Sequence, residues 1–220
     1  MEHLSLLHKI NVLIHITAGS LALLTGTIIL LTIKGTPFHK RSGRFFLLML
    51  SVVILTGLIG VFVFGRNTFL LIITVLSGYL GYSGYRAVKT RSNKPVAMDI
   101  CMAILCLALV GYFLYYFNSI GMIWSPVIIY STVGYLIFIV GYDLLRGFIP
   151  ASAYRNLWLY EHILKMVSAF TALLSAFLGT VLPQYHPYSQ FVPSVFGTLL
   201  AIGFIIYFRK KSFTKPAVQL

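Results

Sequence analysis

The sequence predicts an all-α membrane protein, a bundle of seven transmembrane helices forming one domain over residues 1–220, and three observations predict it. Of the 220 residues, 59% are hydrophobic and only 10% charged, with a mean hydropathy of +0.91, whereas an ordinary soluble domain carries about 25% charged residues. The apolar residues fall into seven runs close to the roughly 20 residues that cross a bilayer. Lys and Arg, 17 against four Asp and Glu, collect between those runs. The net charge of +13 therefore reads as loops facing an anionic leaflet, with the lipid bilayer as partner and no nucleic acid, because a charge balance alone gives only non-specific attraction.

The first run, 10–33, ends at Gly35 and Pro37. It is too long for a signal peptide, lacks a clear small-residue cleavage site, and is expected to stay in the mature protein. His15, Gly19, Ala22 and Gly26 share one stripe of it, as close helix packing in lipid requires. The second and third runs, 45–64 and 68–85, form a tight hairpin about Gly65–Arg66–Asn67, and Gly78, Gly81 and Gly84 thin the third. Lys94 and Pro95 precede the fourth, 99–117, and Asn118 to Gly121 separate it from the fifth, 123–145. Gly147 and Pro150 introduce the sixth, 157–182, and Pro183 and Pro187 the seventh, 191–208. Cys101 and Cys106 lie on one helix without C-x-x-C spacing and read as small apolar residues. The 14 Tyr suit headgroup-level rings or helix contacts.

Charge orients the bundle. Lys34, Lys40, Arg41, Arg44, Arg86, Lys89, Arg91, Lys94, Arg146, Arg155, Arg209, Lys210, Lys211 and Lys215 fall on one side, and Lys9 and Arg66 on the other. Under the positive-inside rule the amino terminus is external and the carboxyl terminus cytoplasmic.

Three of the four acidic residues then converge on the cytoplasmic end. Asp99 opens the fourth run, Asp143 closes the fifth, and Glu161 and His162 lie about 8 to 9 Å into the sixth. His39 falls in the first cytoplasmic loop. Glu161 and Lys165 have the favoured i, i+4 order and can neutralise each other, while Asp99 and Asp143 can pair with loop arginines. His162 has no local partner, so it is a candidate functional residue inside a span, or else a neutral imidazole bonded to a backbone carbonyl or tyrosine. Glu161, Lys165, Ser168, Ala172, Ser175 and Gly179 share one stripe that can face the bundle, and His162, Met166, Ala169, Leu173 and Ala176 the next. His15 lies near the other leaflet, roughly 19 Å away in depth, too far to share a centre with His162; His8 and His186 belong to that outer side.

Several stretches taken in order, IHITAGSLALLTG, FHKRSGRFF, GYSGYRAVK, YDLL, EHILKMVSAFTALLSAF and VPSVFGTLLAIGFIIYF, resemble a family of bacterial multi-pass membrane proteins catalogued only as a domain of unknown function. The resemblance rests on His15 with Gly19, on His39, Gly43 and Arg44 as H-x-x-x-G-R, and on His162 with Met166 as H-x-x-x-M. It implies a helical bundle in a bacterial inner membrane and draws attention to those histidines.

Three functions compete. His39, His162, Asp99 and Asp143 supply ligands for a zinc or other transition-metal site with an open position for an activated water, in a membrane enzyme with His162, Glu161 and Lys165 as catalytic groups. The arrangement is similar to seven-helix membrane zinc hydrolases, but those place two histidines on the last span, and 191–208 has neither His nor acid. A haem b held by His39 and His162 with Met166 lining its pocket is the cofactor variant. The alternatives are a transporter in which Glu161, His162 and Lys165 relay protons or anions, against which no span carries a mid-membrane Pro or a broken helix, and a scaffold subunit whose charges anchor loops.

Overall fold

The computed structural model describes residues 2–65, 69–120 and 126–213, with nothing said of the side chains of 2–5, 69, 70, 120, 212 and 213. Among these residues the chain is helical throughout, with no strand: α1 (Glu2–Leu31), α2 (Pro37–Phe62), α3 (Phe69–Thr90), α4 (Ala97–Ile120), α5 (Pro126–Leu145), α6 (Ala151–Val181) and α7 (Tyr188–Phe213), plus single 3₁₀ turns at Arg146–Phe148 and Pro183–Tyr185. Arg66, Asn67, Gly121 and Lys215, and the first residues of the third and fifth apolar runs, lie outside the described residues.

Among the described residues, six of the seven α-helices are long and apolar enough to cross a membrane, α3 being the exception. Its Tyr79, Tyr82, Tyr85, Arg86, serines and glycines lower its hydropathy, yet from residue 71 to 84 every position is buried or half-buried. The two facts have one cause. α3 packs against α2, α4, α5 and most extensively α6, so its polar and small side chains meet protein. The other six helices turn large apolar residues outward, Leu13, Leu24, Leu48, Leu55, Ile104, Phe138, Phe177 and Phe196 among them, a surface that water would not tolerate at this extent.

α1 and α2 form one antiparallel pair, α6 and α7 another, and α4 and α5 both pack on α3. The core between them runs from Ala22 through Phe46, Leu50, Ile72, Leu80, Phe113, Leu136 and Ile139 to Ala169 and Phe170. Close approach depends on missing side chains. A Cβ on Gly84 would lie 3.1 Å from both Lys165 Cβ and Met166 Sδ, and one on Gly197 would collide with Thr171 Cγ2. α3 and α7 thereby sit directly on α6, the small-residue contact that substitutes for a hydrophobic driving force when the surroundings are apolar.

Several helices begin earlier than the apolar runs do. Thr36 caps α2, its side chain accepting from His39 N at 3.2 Å, with Pro37 as the first helical residue, an arrangement in which proline's fixed φ and absent N–H cost nothing. His39, Arg41 and Arg44 are consequently on the first turns of α2 and not in a loop. α6 likewise starts at Ala151, adding a polar turn and a half before the apolar run. At the end of α1, the Lys34 ammonium donates to the carbonyls of Ile29, Leu30 and Thr32 at 2.8, 2.7 and 3.1 Å and lies over the Phe204 ring of α7 at 4.7 Å. Partial burial there holds Lys34 below the usual lysine pKa.

Candidate functional site, a buried ionic network

The three carboxylates that converge in sequence also converge in space, through partners that come from four segments. Tyr79, Tyr82 and Arg86 share one face of α3 at spacings of three and four. Asp99 stands at the third position of α4 and reaches back to Val96 N at 3.1 Å, the carboxylate half of a capping box. Tyr142 and Asp143 end α5, and Arg146 opens the 3₁₀ turn that follows. Tyr154, Glu161 and Lys165 repeat at seven and four along α6, one stripe of that helix.

The contacts join these residues into one network. Arg86 grips Asp99 with two donors, Nε to Oδ1 at 2.7 Å and Nη2 to Oδ2 at 3.1 Å, and Tyr82 adds a third bond to Oδ1 at 2.9 Å. Arg146 stands at the centre, 3.2 Å from Glu161, 3.8 Å from Asp143 and 3.8 Å from Asp99. Lys165 Nζ donates to Asp143 Oδ1 and, at 3.4 Å, to Glu161 Oε2. Tyr79 donates to Asp143 at 3.1 Å and Tyr142 to Glu161 at 2.6 Å. Lys165 is 1% exposed and Arg146 2%, so these charges are out of water. Three cations and three carboxylates cancel, and the chain's whole excess of +13 lies outside the network. A loop-to-loop bond, Asn93 Nδ2 to Ile149 O at 2.6 Å, holds the segment preceding α4 against the one preceding α6.

The expected pairs are partly rearranged. Glu161 and Lys165 do meet, but Lys165 is bound more closely by Asp143, and Glu161 by Tyr142 and Arg146. Asp99 and Asp143 take arginine partners as expected; Arg146 is buried in the 3₁₀ turn that joins α5 to α6, and Arg86 is half-buried near the end of α3 and not in the loop after it. His162 donates from Nδ1 to the Gly84 carbonyl at 3.0 Å; a carbonyl can only accept, so the proton is on Nδ1. That is the carbonyl-bonded imidazole weighed as the alternative to a functional histidine. His39 lies within electrostatic range of His162, and its Nδ1 is buried without a hydrogen-bond partner.

The quartet His39, His162, Asp99 and Asp143 does not assemble as a ligand set. Among the described residues no group of three or more His, Cys, Asp or Glu side chains is placed to hold a metal ion. Asp99 and Asp143 are turned toward Arg86, Lys165 and tyrosine hydroxyls, which would have to be displaced before either could ligate. Met166 packs its sulfur into the notch left by Gly84. At the opposite end, His15 Nδ1 lies 2.8 Å from Thr56 Oγ1, whose own proton goes to Val52 O at 2.7 Å, and Asn11 binds Thr56 O at 3.1 Å. His15 thus ties α1 to α2, far from His162, as its depth predicts.

No family model, curated protein or solved structure matches this chain. The network therefore has to be interpreted from its own chemistry.

Arg86, Arg146, Tyr79, Tyr82, Tyr142 and Tyr154 were not singled out by sequence reasoning as site residues. The signal was present in part: Tyr79, Tyr82 and Arg86 recur at helical spacing, and Arg146 follows Asp143 by three. Counting both arginines as loop charges concealed it.

Proposed function

We propose that the chain is a multi-pass protein of the bacterial cytoplasmic membrane whose α3–α6 network relays protons. In this reading all seven helices cross the bilayer, with the amino terminus outside and the carboxyl terminus inside, and α3 crosses as the sheathed central helix. Removing Arg86 and Arg146 from the loop charges leaves twelve basic residues against two, still a decisive asymmetry. The resemblance to the bacterial family of unknown function agrees with this placement.

The observation that carries the relay is Lys165, fully buried between two carboxylates, each of which also accepts from a tyrosine. Ionisable side chains inside a span are rare and mark, among other roles, proton relays and ion pathways. Transfer of a proton from the Lys165 ammonium to Asp143 or Glu161 converts an ion pair into a neutral pair and leaves the network's total charge unchanged. No step inside it creates an isolated buried charge, the one event that a low-dielectric interior penalises heavily. Arg146, which stays protonated, supplies a fixed positive charge 3.2 Å from Glu161 and 3.8 Å from Asp143. A metal or haem enzyme is less well supported, because the carboxylates it requires are already held by cations.

The test is proton flux into proteoliposomes holding a pH-sensitive dye, driven by a potassium diffusion potential. The native protein should acidify the lumen faster than protein-free vesicles, and Glu161→Gln, checked for a folded monodisperse state, should slow it at least tenfold. Native flux no greater than that of empty vesicles would reject the relay.

A further inference from the structure

We propose that the cleft between α5, α6 and α7 binds a neutral lipid bearing a hydroxyl head group. The cleft encloses about 350 Å³ on the far side of Lys165 from Arg146, and of its fourteen lining residues eight are polar and none is charged. This site is separate from the proton relay and does not depend on it.

The shape sets the route of entry. α5 packs on α3 and α4 and α7 packs on α6, so α5 and α7 stand apart across the cleft. Phe191, Val195 and Leu199, exposed and four residues apart, form its long α7 edge, which extends about 12 Å along the helix. The mouth therefore runs parallel to the helices and opens sideways, the direction from which a molecule dissolved in the bilayer arrives.

The donor and acceptor inventory sets the chemistry. Ser131, Thr171 and Thr198 spend their hydroxyl protons on carbonyls of their own helices, Ile128, Ser168 and Ser194 respectively, and face the cleft with acceptor lone pairs. Tyr135 and Ser168 share one bond at 2.9 Å, which uses one of their two protons and leaves the other to give. Gln190 is buried, lines the cleft, and its Oε1 has no hydrogen-bond partner. Its amide lies over Gly179, where a Cβ would come within 2.8 Å of Nε2, so the helix contact fixes it in place. Thr132 and Ser194, which shares one bond with Ser175 at 3.2 Å, line the cleft as well, so it requires a donor for Gln190 and offers several hydroxyl protons in return. A hydroxyl group does both. A charged head would find no counter-ion, and a bare hydrocarbon would leave Oε1 unpaired.

Two sources share that chemistry, a diacylglycerol and a long-chain prenyl alcohol, and the experiment separates them. The full chain in phosphatidylcholine vesicles is irradiated with a diazirine-bearing diacylglycerol, with a diazirine prenyl alcohol, and with the methyl ether of each. Cross-links are located by peptide mass spectrometry. At least one hydroxyl probe should label 126–135 or 188–199 saturably, be displaced by its unlabelled parent, and exceed its own methyl ether at least fivefold. The probe that does so identifies the source. Gln190→Leu should reduce this labelling at least fivefold, and Thr132→Trp, which obstructs the cleft from a half-exposed position without touching the buried amide, should abolish it. Equal labelling by alcohol and ether, labels scattered over all outward faces, or cross-links to a second polypeptide filling the cleft would each overturn the assignment.

Discussion

Replacing Lys165 with Met removes the one cation that Asp143 holds at close range and leaves the network with three carboxylates and two cations. The structure allows the consequence to be ranked. Glu161 keeps Tyr142 at 2.6 Å and Arg146 at 3.2 Å, whereas Asp143 keeps Tyr79 at 3.1 Å but has Arg146 only at 3.8 Å. For the weaker of the two Lys165 contacts, 3.4 Å, Coulomb attraction at an effective dielectric constant of about 20 is about 5 kcal/mol. Most of this is offset by the desolvation of both groups, but removal of one partner exposes that cost unopposed, and about 3 to 5 kcal/mol is the expected loss.

Restoring neutrality should recover much of it. In Lys165→Met/Asp143→Leu the uncompensated carboxylate is gone, and the coupling measured by the double-mutant cycle should reach about 1.5 to 3 kcal/mol. The parallel cycle with Glu161→Leu should give a smaller coupling, because Glu161 has Arg146 in reserve. Reversible unfolding in mixed dodecylmaltoside and dodecylsulfate micelles, followed by far-UV circular dichroism, measures all four corners. Additivity within about 0.5 kcal/mol for Lys165 and Asp143, or a stronger coupling to Glu161 than to Asp143, would refute the arrangement described here.

The remaining expectations are simpler. Gly84→Ala should destabilise by about 1 to 3 kcal/mol, since the new methyl meets Lys165 Cβ and Met166 Sδ at 3.1 Å, and Met166→Ala should relieve part of that loss in the same unfolding assay. His162→Phe should cost only about 1 kcal/mol, the net value of one hydrogen bond, because the Gly84 carbonyl it abandons is also within its own helix; a far larger loss would show that the imidazole does more than join α6 to α3. A reporter fused after Leu220 should be active only in its cytoplasmic form and one placed before Met1 only in its external form, and both ends on one side would remove the seven-span reading.

The helices were legible because a run of about 20 apolar residues has few other fates, and the breaks at Gly35, Pro95, Pro150 and Pro183 fall where α1, α3, the 3₁₀ turn and α6 have ended. Boundaries were less legible. Hydropathy marks where a segment becomes apolar, but α2 begins where Thr36 and Pro37 provide a cap, well before Phe45. The gathering of Asp99, Asp143 and Glu161 at one end followed from depth alone. Their partners did not, since periodicity gives the face of a helix and not the neighbour opposite. Lys165 is well spaced to meet Glu161 by sequence, and only the packing of α5 on α3 brings Asp143 closer.

Arg86 and Arg146 show the same limit in a more informative way. By sequence they are two more members of a basic loop set, the set on which the proposed orientation rests. In the fold they are cancelled by carboxylates, while outside the network the sequence holds fourteen basic residues and one acidic side chain, Glu2. Acidic residues are thus spent on the interior and basic ones on the surface. A chain that needed carboxylates merely to balance its loops would place them beside Lys40, Arg41 or Lys210. Placing three of four against α3 and α6, each with a tyrosine or arginine to complete it, concentrates the protein's titratable chemistry on its two most buried helices, and that distribution is what makes the network, and not the loops, the place to look for function.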